Sequence, residues 1–197
     1  MAVRYLENYF TREVLAAQRH YYGRSQDVLP QAERDSLTAE ELDFIARRDS
    51  FYLATVSSDG WPYIQHRGGP PGFLKVLAPN VLAFADYPGN RQMLSTGNVA
   101  GNDRVAIFLM DYARRERLKL MGHARVLDAR ENPGLAGRLV EPAELRRVER
   151  IFRIEVISFN WNCPKYITPR FTEDEVREAT QPLLDRMLKL EAELARR

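Results

Sequence analysis

The sequence predicts a mainly β fold with flanking helices, an antiparallel barrel or sandwich, and three observations lead there. Runs of β-forming residues follow one another from Phe51 to Phe159 with turn signals between them. Few helical stretches interrupt these runs, so the βα alternation of a parallel sheet is missing. Neither a Gly-x-Gly-x-x-Gly fingerprint nor a P-loop occurs, and no internal repeat is present.

Taken in order, Val3 to Tyr22 has long apolar and aromatic side chains among charges, without Pro or Gly, and reads as a helical arm. Thr38 and Glu41 form a capping box ahead of Leu42, Phe44 and Ile45, so a short helix starts there and ends near Asp49. The period then changes. Phe51 to Val56 is rich in β-formers, and Ser58-Asp59-Gly60 turns it into a second strand from Trp61 to Gln65. Gly68-Gly69-Pro70-Pro71-Gly72 offers little side chain and reads as a flexible loop. Strands follow at Phe73 to Leu77 and Val81 to Ala85, around a Pro79-Asn80 turn. Asn90 to Ser95 is expected as a short helix closed by Gly97. Val105 to Met110, Leu118 to Leu127 and Ile151 to Phe159 supply the remaining strands. Glu173 to Arg197 is a helix with Leu183, Met187, Leu190 and Leu194 on one stripe, and Pro182 within it kinks it or starts its second half. That stripe packs on the barrel or on a partner subunit. The divisions expected are residues 1–50 as the arm, 51–171 as the barrel and 172–197 as the last helix.

Composition narrows the function. With 197 residues, 45% hydrophobic and 28% charged, the chain has the profile of one soluble globular domain. Its 29 basic and 27 acidic residues nearly cancel to +2, which argues against a general nucleic-acid binder. Cys163 is the only cysteine, so an internal disulfide and a multi-cysteine zinc site are excluded and a reducing cytoplasm suits the chain. Met1 to Phe10 lacks the apolar run of a signal peptide or membrane span. His20, His66 and His123 are too scattered for a metal motif.

Three constellations carry the chemistry. Pro62 to Arg67 ends a strand, and Arg67 and Lys75 flank the glycine-proline loop. Asp86-Tyr87-Pro88-Gly89-Asn90-Arg91-Gln92 runs through a turn into the expected short helix, whose free N–H groups with an arginine fork suit a phosphate. Arg117 lies on the strand leading to Gly122-His123. Each cation alone is more often a solvated surface charge than a ligand. His66, beside Arg67, is either a structural histidine or a contact to the ligand. Cys163 reads as an inert buried thiol, since no catalytic partner pattern accompanies it.

The stretch Phe51 to Asp128 resembles the pyridoxamine 5′-phosphate oxidase-like FMN-binding split β-barrel family. The resemblance is carried by the Asp59-Gly60-Trp61-Pro62 hairpin, the arginine ending the second strand, Gly89-Asn90-Arg91-Gln92, Asn102-Asp103-Arg104-Val105-Ala106 and Arg117-Leu118-Lys119-Leu120-Met121-Gly122-His123-Ala124. It implies a homodimer holding FMN at the subunit interface, with Arg67, Lys75, Arg91 and Gln92 around the phosphate and Arg117 near the isoalloxazine ring. Gln92 stands where the family commonly has lysine. Trp161 would stack at the flavin from the second subunit or plug the barrel. The activity expected is FMN-dependent oxidation and reduction of a small molecule. The tail after Trp161 does not resemble the oxidase's substrate-binding segment. A deazaflavin or haem in the same barrel, or a non-catalytic flavin-binding module, are the alternatives.

Overall fold

Seven strands pair into one antiparallel sheet in the order β2-β1-β5-β6-β7-β4-β3. They are β1 (Ser50–Val56), β2 (Pro62–Gly68), β3 (Lys75–Ala78), β4 (Val81–Asp86), β5 (Arg104–Asp111), β6 (Glu116–Asp128) and β7 (Arg150–Trp161). Among the described residues β2 and β3 remain at the two edges, so the sheet is not closed. The computed structural model describes residues 3–27, 35–161 and 164–196. It divides into two units, residues 1–110 with 117–163, and residues 111–116 with 164–197.

In the first unit the alternation of side chains decides which face each strand buries. Phe51, Leu53 and Thr55 of β1 point inward, as do Val105, Ile107 and Leu109 of β5. They meet Leu82, Phe84, Leu118, Leu120, Phe152, Ile154 and Val156 in the main core. The helix α3 (Ala39–Ala46) closes that core with Phe44 and Ile45, and its start carries the expected capping box, Thr38 with Glu41. A smaller core of Ala83, Ala129, Ala136, Leu139, Val148 and Ile151 lies under α5 (Pro133–Leu139), a short helix that sequence patterning missed.

Three expectations change. The arm is two helices, α1 (Val3–Glu7) and α2 (Arg12–Tyr22), because Thr11 takes extended backbone and its hydroxyl accepts the Val14 N–H to start a new helix. The short helix expected at Asn90 begins later, as α4 (Leu94–Gly101), with Gly97 inside it. Arg91 (φ 62°) and Met93 (φ 58°) sit in the left-handed region, which a right-handed helix cannot include. The glycine-proline loop is pinned. The Gly69 and Gly72 N–H groups donate to the Asp49 and Arg48 carbonyls, each at 2.9 Å, and Gly72 has φ +75° with a would-be Cβ 2.8 Å from the Ala46 oxygen. Only glycine fits there.

In the second unit the Asp111–Glu116 turn is held by the Arg114 N–H donating to Asp111 at 2.9 Å, and the Arg170 guanidinium lies 4.9 Å from the Tyr112 ring centre. The helix α6 (Glu173–Leu194) starts at a Thr172–Glu175 capping box, runs through Pro182 and has no buried residue. No described helix is long and apolar enough to cross a membrane.

Candidate functional site

A cavity of about 200 Å³ opens on the inner face of the first unit. Tyr63, Gln65 and Arg67, alternate residues of β2, form one wall because a strand presents every second side chain to the same side. Asp86 and Arg150, opposed where β4 pairs with β7, form its floor. The turn from Tyr87 to Met93 and the start of α4 complete it. Ser95, in the first turn of α4, donates to Gln65 at 2.9 Å, and Asn98 donates to Thr55 at 2.9 Å, so α4 is tied to both strands of the β1–β2 hairpin.

The charges are arranged by burial. Asp86, 7% exposed, accepts from the Arg67 Nη1 on one oxygen and from the Arg150 Nε, at 2.8 Å, on the other. The Arg67 guanidinium lies 5.5 Å and 5.2 Å from the ring centres of Phe84 and Phe152, which stack on each other. Such rings favour a cation over their faces. Its Nε is buried and meets no partner. Burial works against the Arg150 charge, but hydrogen bonds to Asp86 and Glu149 outweigh it and hold the guanidinium protonated. Three guanidinium groups (Arg67, Arg91, Arg150) face two carboxylates (Asp86, Glu149), which leaves one positive charge in excess.

The left-handed turn adds donors. Met93 precedes α4 and makes no side-chain cap, so the first N–H groups of that helix, whose residues Leu94, Ser95 and Thr96 line the cavity, have no capping oxygen from it. Gln92 is oriented by Asn90, whose Oδ1 accepts the Gln92 N–H at 3.1 Å. Cationic forks, an unpartnered guanidinium nitrogen and an uncapped helix start are the kinds of group that suit a compact dianion. Among the described residues no cluster of metal-ligating side chains occurs.

Arg67, Arg91 and Gln92 therefore share one cavity, and the other candidates lie elsewhere. His66 projects from the opposite face of β2, where it packs edge-on against Tyr52. Lys75 lines a neighbouring cavity of about 550 Å³ together with Phe73, Tyr87, Arg138 and Arg147. Arg117 and Trp161 belong to the far end of the β6–β7 ladder: Trp161 pairs with Leu118, and Arg150 pairs with Asp128, eleven residues along β7. At about 3.3 Å per residue that is roughly 35 Å measured along the strand. Trp161 donates its Nε1 to Glu41 at 2.6 Å and meets the Phe44 ring edge-on at 4.8 Å, so within one protomer it plugs the core. Arg117 has a buried Nε without a partner. Sequence reasoning missed Asp86 and Arg150 as organisers of the site. Their signal was weak, since opposition across two strands depends on register and the two residues are 64 positions apart. Cys163 lies outside the described residues.

Comparison with known proteins places this geometry in a family. A candidate pyridoxamine 5′-phosphate oxidase from Lactobacillus delbrueckii is similar in structure, with 18% identity, 67% of this chain and 99% of that chain covered, and a TM-score of 0.50. HupZ of Group A Streptococcus is similar at 16% identity, covering 68% and 99% of the two chains with a TM-score of 0.50. These likenesses establish the split-barrel fold. No curated protein matches the chain. The family model for pyridoxamine 5′-phosphate oxidase matches residues 37–151, a span that takes in the whole cavity from Tyr63 to Arg150. The chain belongs to the pyridoxamine 5′-phosphate oxidase family.

Proposed function

We propose that the protein is an FMN-binding flavoprotein, an FMN-dependent oxidoreductase that works as a homodimer. The observation that carries this reading is the convergence of Arg67 and Arg91 on one small, net-positive cavity at the uncapped start of α4. The residues present fit a phosphate monoester: the orphaned Arg67 Nε and the free N–H groups need acceptors, and a dianion supplies them. Ligand pockets for whole drug-sized molecules run about 300–1,000 Å³. A cavity of about 200 Å³ is therefore sized for the ester end alone, and the ring system must lie beyond its mouth. A second copy would cover it, which is the argument for the dimer.

Bound FMN would supply reversible hydride or single-electron transfer. The chain's own residues then divide the work. Arg67, Arg91 and Gln92 hold the phosphate, and Asp86 and Arg150 keep Arg67 in place. Lys75 and Arg138, in the adjoining cavity, would receive an anionic substrate. Arg117, Trp161 and His66 would meet the ring from the partner protomer, where a guanidinium would favour the reduced, anionic flavin.

The test is a visible spectrum of the untreated protein, mass spectrometry of what denaturation releases, and titration with FMN and with riboflavin, which lacks the phosphate. Arg91→Ala should weaken FMN by about 10- to 100-fold, the worth of a charge-assisted hydrogen bond of about 1.5–3 kcal/mol, and leave riboflavin unchanged. A released deazaflavin or haem, or equal loss for both ligands, would overturn the reading.

A further inference from the structure

The helix α6 is 22 residues long and buries none of them. It nevertheless carries a row of large apolar side chains: Val176, Leu183, Met187, Leu190 and Leu194 are 41–68% exposed. In proteins most of a helix's stability comes from covering its apolar stripe. The spacing of the row says what covers it. Val176, Thr180, Leu183, Met187, Leu190 and Leu194 follow one another by four, three, four, three and four residues, the period of 3.5 that winds two helices together, and the exposed Leu184 and Leu188 widen the stripe beside it. Leucine or valine holds every position of one alternate set (176, 183, 190), the set that leucine fills in parallel two-stranded coils. Pro182 falls on the outer side of this seam, where the carbonyl it leaves without a partner faces water.

Charge selects the occupant and its direction. In a parallel pair, the residue flanking the seam at 186 meets the residue at 191 of the other helix, which sets Arg186 against Glu191 twice by symmetry. Ala179 meets Leu184 in the same way one heptad earlier, an apolar contact. An antiparallel pair on the same seam would set Arg186 against its own copy. We infer that α6 is a dimerisation element that pairs in parallel with α6 of a second copy of this chain, its seam formed by Val176, Leu183, Met187, Leu190 and Leu194 and its direction fixed by Arg186 and Glu191. The pairing is independent of the flavin reading.

Cysteine crosslinking of the full chain tests it. In a Cys163→Ser background, Leu190→Cys places two thiols across the seam in a parallel pair, whereas Lys189→Cys points outward. Mild oxidation should turn Leu190→Cys into a covalent dimer and leave Lys189→Cys monomeric on a denaturing gel. Arg186→Glu should lower the yield and Arg186→Glu with Glu191→Arg restore it. Leu183→Cys repeats the test should Leu190→Cys fail to fold. Equal crosslinking at 189 and 190 indicates random collision, and a folded Leu190→Cys protein that stays uncrosslinked indicates that the stripe is covered by the chain's own barrel or by another protein; either overturns the inference. Neither outcome touches flavin uptake, which the spectrum reads separately.

Discussion

Asp86 is the residue whose loss should be felt most, because it is the shared counter-ion of two guanidinium groups that are 15% and 14% exposed. Removing one partner of a buried ion pair leaves the other charge desolvated and typically costs about 3–5 kcal/mol. Asp86→Ala should therefore lower the unfolding free energy read from urea titration by that amount, while Arg91→Ala, on the exposed turn, should change it by less than about 0.5 kcal/mol. Equally small changes in unfolding free energy for the two variants would mean that the Arg67–Asp86–Arg150 network contributes nothing to the fold. Glu41 offers a second test. Burial, at 3% exposure, pushes its carboxyl upward, but hydrogen bonds from Thr38 and Trp161 outweigh this and hold the group below its ordinary value of 4.5. A carboxyl depressed by folding contributes stability above its unfolded value, and that stability is lost as pH falls through the lower folded value. Acidification below about 4.5 should thus loosen Trp161, and Glu41→Gln should flatten that dependence. In a Trp61→Phe background, which leaves Trp161 as the sole indole, its fluorescence against pH reads the effect.

The long β6–β7 ladder depends on a glycine. Between Met121 and Gly122 the register shifts by one residue on β7, and a Cβ at Gly122 would stand 2.3 Å from the Glu155 carbonyl oxygen. That oxygen belongs to the backbone and cannot rotate aside, so Gly122→Ala should cost about 1–3 kcal/mol through forced displacement of the strands. Thermal denaturation would show it, and an unchanged midpoint would mean that the bulge relaxes freely. The same elements show what the sequence made legible. The capping box at Thr38 and the β-rich runs are local signals, fixed by neighbours within a few residues, and the structure has α3 and all seven strands close to where those signals put them. The start of α4 was not legible in the same way. Asn90-Arg91-Gln92-Met93 has acceptable helix formers, and nothing local announces that Arg91 and Met93 take positive φ. Nor could spacing separate His66 from Arg67 as opposite faces of β2 until the strand was seen to continue to Gly68. The family resemblance supplied the cations; their neighbours Asp86 and Arg150 come together only through the β4–β7 register.

For the whole molecule the question is where the ring of a bound flavin would lie, and the surface of the β1–β2 hairpin narrows it. Strand pairing sets Tyr52 beside His66 and Ala54 beside Ile64 on the outer face, and Trp61 stands at the start of β2. Tyr52, Ile64 and Trp61 are 39%, 65% and 76% exposed, an apolar grouping on an edge hairpin of the kind that marks a protein contact. If a second copy meets this face and closes the mouth of the cavity, a charge placed there should weaken binding of the ring, whereas a change at Arg91 weakens binding of the phosphate. Ile64→Glu is the discriminating variant, since its side chain points away from the cavity and does not line it. It should lower affinity for FMN and for riboflavin by the same factor, and light scattering should show a larger fraction of single chains at equal concentration. Arg91→Ala should lower affinity for FMN alone. Equal behaviour of the two variants towards both ligands would mean that the ring and the phosphate are held by one surface, and that a single protomer suffices to bind the cofactor.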